Sequence, residues 1–353
     1  MSRSVALLLL FALPLPAITT AAPLDALLQA EARSRLAAGY DFMNETFDVL
    51  DFSDDYGVDS SDYDGWHLDG SLAIGRRIAV DASWRQREVS VGNFAAELDS
   101  WQLAAHVVLL DGEGAGPGLA LRASAWQNQA GTVERQYNLG LAATQTSQIR
   151  IEDPSDSQLQ LDLVFSLPLA EQLLFSSLVS IGNSTVDFDS ISGTGLYQGC
   201  LYDLAFTASE YIGTLAAPCF EDTVVTSFSK SYDANDVNVY RELRYDAQFV
   251  QAGLNLAWQT QNWLLHGGYL FYYTRRDKVD DAIEARGDTA YYSNHTLVGR
   301  IAYRVVGTLW LDLTGQYMHN QFISEIPLAY NSLTAKHFNK HYGLLSIGAQ
   351  LAF

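Results

Sequence analysis

The sequence predicts an all-β chain: a transmembrane, antiparallel up-and-down β-barrel of 12 or 14 strands. Three observations predict it. Apolar residues recur at every second position over segments of bilayer-crossing length, tight and long connections alternate, and beyond residue 22 no apolar run is long enough for a membrane-spanning helix.

The period of two is plainest at Leu159, Leu161, Leu163, Phe165, Leu167 and Leu169, interleaved with Gln158, Gln160, Asp162, Val164, Ser166 and Pro168. After a tight Ala170–Gln172 connection it resumes as Leu173, Phe175, Ser177, Val179 and Ile181. Val250–Trp258, Trp263–Tyr273, Leu297–Val305 and Leu309–Tyr317 follow the same rule. So do the N-terminal outward sets Leu36–Phe42, Trp66–Ile74, Ile78–Trp84, Trp101–Leu109 and Leu119–Ala125. Gly75–Arg77, Ala170–Gln172 and Val306–Thr308 are tight, whereas Glu45–Gly65, Asp189–Leu243 and Arg276–Ser293 are long, polar and mostly acidic. A β-sandwich has alternating strands without that asymmetry. Tyr137–Ile151 reads as two short strands or as one with an external extension, which leaves the count at 12 or 14. Trp84, Trp101, Trp258, Trp263, Tyr269, Tyr273, Tyr303 and Tyr317 fall on the apolar face, mostly near strand ends, where lipid meets water.

The first residues read as a secretory signal peptide: Arg3, an apolar run Val5–Leu13, prolines at 14 and 16, and small residues before a cut after Ala21. The chain divides into signal peptide 1–21, a short periplasmic segment 22–33 and a barrel 34–353. No cysteine stands at the cut to make a lipoprotein, and Ala22–Arg33 is too short for the plug of a TonB-dependent receptor. The formal charge of −20 becomes −21 once Arg3 is removed, which argues against a nucleic-acid partner. Cys200 and Cys219, in one stretch of an exported chain, are expected to form a disulfide.

The last residues, YGLLSIGAQLAF, put Gly343, Leu345, Ile347, Ala349, Leu351 and Phe353 on one face and end on an aromatic. This resembles the closing strand of Gram-negative outer-membrane porin-type barrels. The resemblance implies integral residence in the outer membrane, contact with lipid and lipopolysaccharide, and assembly machinery reading Phe353 as its signal. It points to no single family and to no substrate.

If the apolar face meets lipid, the other lines the lumen, with Arg35, Arg85, Arg87, Arg122, Arg300 and Arg304 beside Asp41, Asp69, Asp81, Asp162 and Asp312. The hairpin turning at Gly307 sets Ala302 opposite Asp312, so Arg300 and Arg304 become diagonal neighbours of that carboxylate. Such charges suit either a pore constriction or salt bridges bracing a plugged lumen. Seven aspartates in Asp48–Asp64 invite a calcium reading, but without an EF-hand spacing they read as a solvated acidic loop, one that could bridge to lipopolysaccharide through divalent cations. His67, His106 and His266 take lumen parity, while His295 and His319 lie near external strand ends. With no Gly-x-Ser-x-Gly, His-Glu-x-x-His or Cys-x-x-Cys motif, no catalytic residue, metal site or cofactor is assigned.

The leading reading is a porin-like channel or facilitator for small hydrophilic solutes. Its rivals are a closed structural or surface-interaction barrel working through acidic external loops and, further off, a barrel hydrolase acting on lipid.

Overall fold

The computed structural model describes residues 34–43, 61–91, 94–110, 116–135, 140–141, 144–219, 225–233, 238–320, 324, 326–332, 335 and 341–352. In chain order the strands are β1 (Arg35–Met43), β2 (Ser61–Ile74), β3 (Ile78–Val91), β4 (Phe94–Leu110), β5 (Gly118–Ala130), β6 (Val133–Arg135), β7 (Gly140–Leu141), β8 (Thr144–Glu152), β9 (Ser155–Ala170) and β10 (Leu173–Asp187). They continue as β11 (Ser190–Tyr197), β12 (Cys200–Phe206), β13 (Glu210–Leu215), β14 (Ser227–Ser231), β15 (Tyr245–Gln259), β16 (Trp263–Arg276), β17 (Ser293–Val306), β18 (Leu309–His319) and β19 (His341–Ala352).

Twelve of these close one antiparallel barrel: β1 to β5, then β9 and β10, then β15 to β19, with β19 returning to β1. The closing register pairs Arg35 with Ala352 and Tyr40 with Ile347, so both ends of the barrel chain lie at one rim. The tight connections share that rim. Two of them turn at glycines in the left-handed region, Gly75 (φ 71°) and Gly307 (φ 53°), where a side chain would strain the backbone.

Alternation is converted directly into two surfaces. Leu159, Leu161, Leu163, Val179, Ile181, Leu254, Leu256, Ile301, Leu311, Leu313 and Ile347 are exposed on the outside. The intervening Asp162, Ser176, Ser180, Gln251, Asn255 and Arg300 are buried inside. An exposed apolar belt around a polar interior inverts a water-soluble protein and suits a bilayer. Trp84 and Trp101 are register partners on the belt, and the rings of Trp263 and Tyr303 pack 4.7 Å apart at its lower margin.

Long connections rise at the opposite rim, and two of them build a second sheet, in the order β14, β13, β12, β11, β8, β6, with β7 also on β8. It continues the wall: Asp189 N–H donates to the Glu152 carbonyl and Ala130 N–H to the Pro154 carbonyl, both at 2.9 Å. Its covered face is apolar, with Ile149, Phe188, Ile191, Tyr202, Leu204, Phe206 and Tyr211 packed beneath Val239 and Leu243.

This settles the strand count at twelve, because the described residues of the ambiguous Tyr137–Ile151 stretch, 140–141 and 144–151, lie in β7 and β8, outside the wall. It also corrects three connections. Asp189–Leu243 holds β11 to β14 and a helical turn Val239–Glu242. Arg276–Ser293 holds the helix Val279–Ala285, and β2 begins at Ser61, inside the stretch read as the loop Glu45–Gly65. Short strands rich in Gly and Thr, such as Gly193-Thr194-Gly195, carry too few apolar positions to declare their period. The signal peptide 1–21, residues 22–33, residues 48–60 of the acidic loop and Phe353 lie outside the described residues.

Cys200, opening β12, is bonded to Cys219 beyond β13, with 5.6 Å between their Cα atoms. A loop of that length contributes about 3 kcal/mol in the chain-entropy model. The bond touches no wall strand. Reduction should therefore leave the barrel resistant to SDS until heated while making residues 200–219 sensitive to external protease. Loss of SDS resistance on reduction would show that the outer sheet supports the wall.

Candidate functional site

The barrel interior and its upper mouth form the candidate site, and charge pairing organises the interior. Arg122 on β5 meets Asp162, its register partner on β9, at 3.3 Å, with Asp81 of β3 at 3.9 Å. His67 on β2 lies 3.0 Å from Asp41 and 3.7 Å from Asp69, with Arg85 its register partner on β3. Arg300 reaches Asp312 at 3.5 Å and donates to the Gln350 side chain at 3.0 Å. The Arg122 and His67 groups are buried and Asp312 is half-buried, where only a partner or water makes charge tolerable.

Register accounts for the sorting at the Gly307 hairpin. Ala302 stands opposite Asp312, so Arg300 and Arg304 flank the carboxylate diagonally. Arg300 takes it, whereas Arg304 lies over the ring of Trp310, its direct partner, at 4.8 Å. Ile301, Tyr303, Leu311 and Leu313 face outward.

Above these pairs a hydrogen-bonded chain crosses four wall strands. Arg87 donates to Ser100 at 2.5 Å and to the Asn128 oxygen at 3.0 Å, and Trp126 also donates to that oxygen at 3.0 Å. Asn128 donates to Asp156 at 2.8 Å, and the other Asp156 oxygen accepts the Leu328 N–H at 3.1 Å. Leu328 belongs to the 3-10 turn Pro327–Ala329 in the connection between β18 and β19. The external connection is thus tied to the far wall from inside the barrel.

The described part of that connection, 326–332 and 335, packs into the mouth. Tyr245 donates to the Pro327 carbonyl at 2.7 Å, with the Tyr330 carbonyl 3.0 Å away. Ile326, Tyr330 and Ala335 pack with Val279 and Ile283 against Tyr245, Phe249, Tyr272 and Leu98 of the wall. Arg276 binds the two inserted segments together. Its guanidinium donates to Asp280 at 3.1 Å and lies 3.8 Å over the Tyr330 ring, and its backbone N–H reaches Asp280 at 2.7 Å. Burial holds the Asp280 carboxyl above its ordinary range, against the pull of Arg276. Burial likewise raises the Tyr330 phenol. The Glu242 carboxylate of the outer sheet's helical turn accepts Arg286 at 2.6 Å and through a second bond, fastening that sheet to the same closure.

The interior therefore holds Arg85, Arg87, Arg122, Asp162 and Arg300 buried, and Arg304 and Asp312 half-buried. Asn128 and Asp156 had lumen parity in the sequence without a distinguishing motif. Asp280 and Tyr330 were missed because they lie in connections without a period, and Arg276 because the connection was read as starting at it, whereas it is the last, inward-facing residue of β16. Among the described residues no group of three His, Cys, Asp or Glu side chains is arranged to hold a metal, and no helix is long and apolar enough to cross a membrane.

No protein-family model matches the chain, and no curated protein matches it in sequence. Solved structures do. The translocator domain of the autotransporter NalP from Neisseria meningitidis aligns over 93% of this chain and 90% of its own, at 10% identity and a TM-score of 0.50. This is the outer-membrane β-barrel fold. Similarity extends more loosely to the monoaromatic hydrocarbon channel CymD, at 10% identity over 96% of this chain and 95% of its own with a TM-score of 0.41. It extends also to the KdgM porin, at 7% identity over 90% and 99% with a TM-score of 0.35.

Breaking a buried pair leaves an uncompensated charge, which costs about 3–5 kcal/mol. Arg122→Leu should lower the urea midpoint of the barrel refolded in liposomes, and Arg122→Leu with Asp162→Leu should recover part of the loss. A single variant as stable as the parent would mean that water, rather than Arg122, neutralises Asp162.

Proposed function

We propose that the chain is an integral outer-membrane barrel, closed at rest, that works at the cell surface through the sheet it raises above the membrane. Export by the signal peptide 1–21 and assembly through the last strand and Phe353 belong to this reading. One observation carries it: Ile326–Tyr330 and the helix Val279–Ala285 fill the external mouth with apolar side chains packed on the wall. Across β3, β4 and β15 the inward side chains are buried from the lower part of the barrel to the mouth. The paired lumen charges act here as braces, and the lumen assigns no group to catalysis.

A porin-like passage for small hydrophilic solutes is the second reading, favoured by the inner wall of β10 and β15. Ser176, Ser180, Gln251 and Asn255 are buried there, and each has a polar side-chain atom with no protein hydrogen-bond partner. Such a surface is made for water or a neutral polar solute. In this reading the inserted connection is a gate.

Planar-bilayer recording separates the two. The wild type should be silent, and Tyr245→Phe with Tyr330→Ala should stay silent while unfolding at lower urea, since the closure loses a buried hydrogen bond and a stacked ring. Conductance steps in the wild type would overturn the closed reading. Steps appearing only in the double variant would make the connection a gate and favour the porin-like reading.

A further inference from the structure

On the lipid-facing side, high on β17 and β18, the structure places chemistry that the lumen does not use. His295 and His319 are direct cross-strand partners on the outer face, with ring centroids 6.1 Å apart and planes at 27°. The Tyr269 hydroxyl lies 2.6 Å from His295 Nδ1, and Phe271 packs on the same ring at 5.2 Å. The register continues the row to the first residue of β19, setting His341 opposite His319. Three neighbouring strands thus carry histidine at one height of the wall.

That height is near the lipid–water boundary. The row directly below joins Tyr269, Leu297 and Tyr317, and the girdle of Trp263 and Tyr303 marks the lower edge of the belt. From Tyr303 to His295 the wall rises about 20 Å, taking ~3.4 Å per residue and a tilt of about 40°. A barrel's apolar band is about 25 Å tall, so the row stands roughly 5 Å below its upper edge, where outer-leaflet headgroups come within side-chain reach.

Charge selects the occupant. In a chain of formal charge −20, the described strand residues on the outer face of β16 to β19 include no carboxylate, and above the row that face carries the exposed Arg275. Imidazoles there donate N–H bonds to a phosphate when neutral, and donate more strongly once protonated. Tyr269 fixes the ring of His295 so that Nε2 is the nitrogen left for a ligand.

We propose that the His295–His319 pair binds the phosphate of an outer-leaflet lipid headgroup of the lipopolysaccharide class. The site rests on the outer-membrane reading. It anchors an acidic protein within an anionic leaflet at the one arc of wall described above, and Tyr269 is its positioning residue.

The test uses the whole barrel in phosphatidylcholine nanodiscs doped with lipopolysaccharide or with the same material enzymatically dephosphorylated. Native mass spectrometry reads lipid retention. The wild type should retain the phosphorylated form about tenfold better, as expected for hydrogen bonds to a charged group. His295→Gln with His319→Gln should abolish the preference while keeping the heat-modifiable band of a folded barrel. Equal retention of both lipids, or a preference surviving in the double variant, overturns the proposal. So does Zn2+ bound to the row without lipid preference, or inorganic phosphate binding the row in undoped discs while lipopolysaccharide does not. A wild type with no heat-modifiable band would instead fail the barrel reading beneath it.

Discussion

A backbone amide in hydrocarbon must find its partner inside the protein, and this requirement governs the rest of the molecule. The ladder meets it by closing: β1 pairs with β2 on one side and with β19, more than 300 residues away, on the other. Closure fixes strand parity, parity fixes which side chains meet lipid, and the tight turns keep each strand in register. A slip of one residue between β17 and β18 would turn one of the two strands over, sending Asp312 toward lipid and Leu311 into the interior, or Arg300 toward lipid and Ile301 inward. The hydrophobic effect thus sets the register that the hydrogen bonds then maintain.

Inside the wall the same parity delivers charge into a confined space. Arginines and aspartates arrive by alternation, and neighbouring strands sort them into pairs such as Arg122–Asp162 and Arg300–Asp312. Where a carboxylate is already taken, an aromatic serves, as Trp310 does for Arg304. At the upper mouth the solution changes from charge to apolar packing. Tyr245, Phe249 and Tyr272 form a greasy collar on an otherwise polar inner wall, and only an inserted segment removes that collar from water.

The wall was legible in the sequence because period two is a strong signal wherever one face must meet lipid. Leu159–Leu169 and Val250–Trp258 declare both their strand and their orientation. The outer sheet was hidden for the converse reason. Standing in water, it needs only one covered face, and β11 supplies that with Ile191 between glycines, serines and a threonine. The mouth was hidden more deeply, since Ile326, Tyr330 and Arg276 come together only after closure has fixed the ends of β16, β18 and β19. Arg300 could be assigned to the interior from parity alone. Its choice of Asp312, and that of Arg304 for Trp310, required the register.

Closure and display are mechanically joined. Glu242, at the end of the chain segment that covers the outer sheet, holds Arg286 through two hydrogen bonds, and Arg286 directly follows the helix Val279–Ala285 that fills the mouth. That helix is held in turn by the Arg276–Asp280 contact, whose arginine also covers the Tyr330 ring. A force on the outer sheet reaches the inserted helix through the Glu242–Arg286 pair. That pair is a charge-assisted contact worth about 1.5–3 kcal/mol, whereas the helix and the β18–β19 connection rest together on a whole apolar cluster. The coupling is weaker than the packing it joins, so the sheet can be displaced, and its pair with Arg286 broken, before the mouth yields.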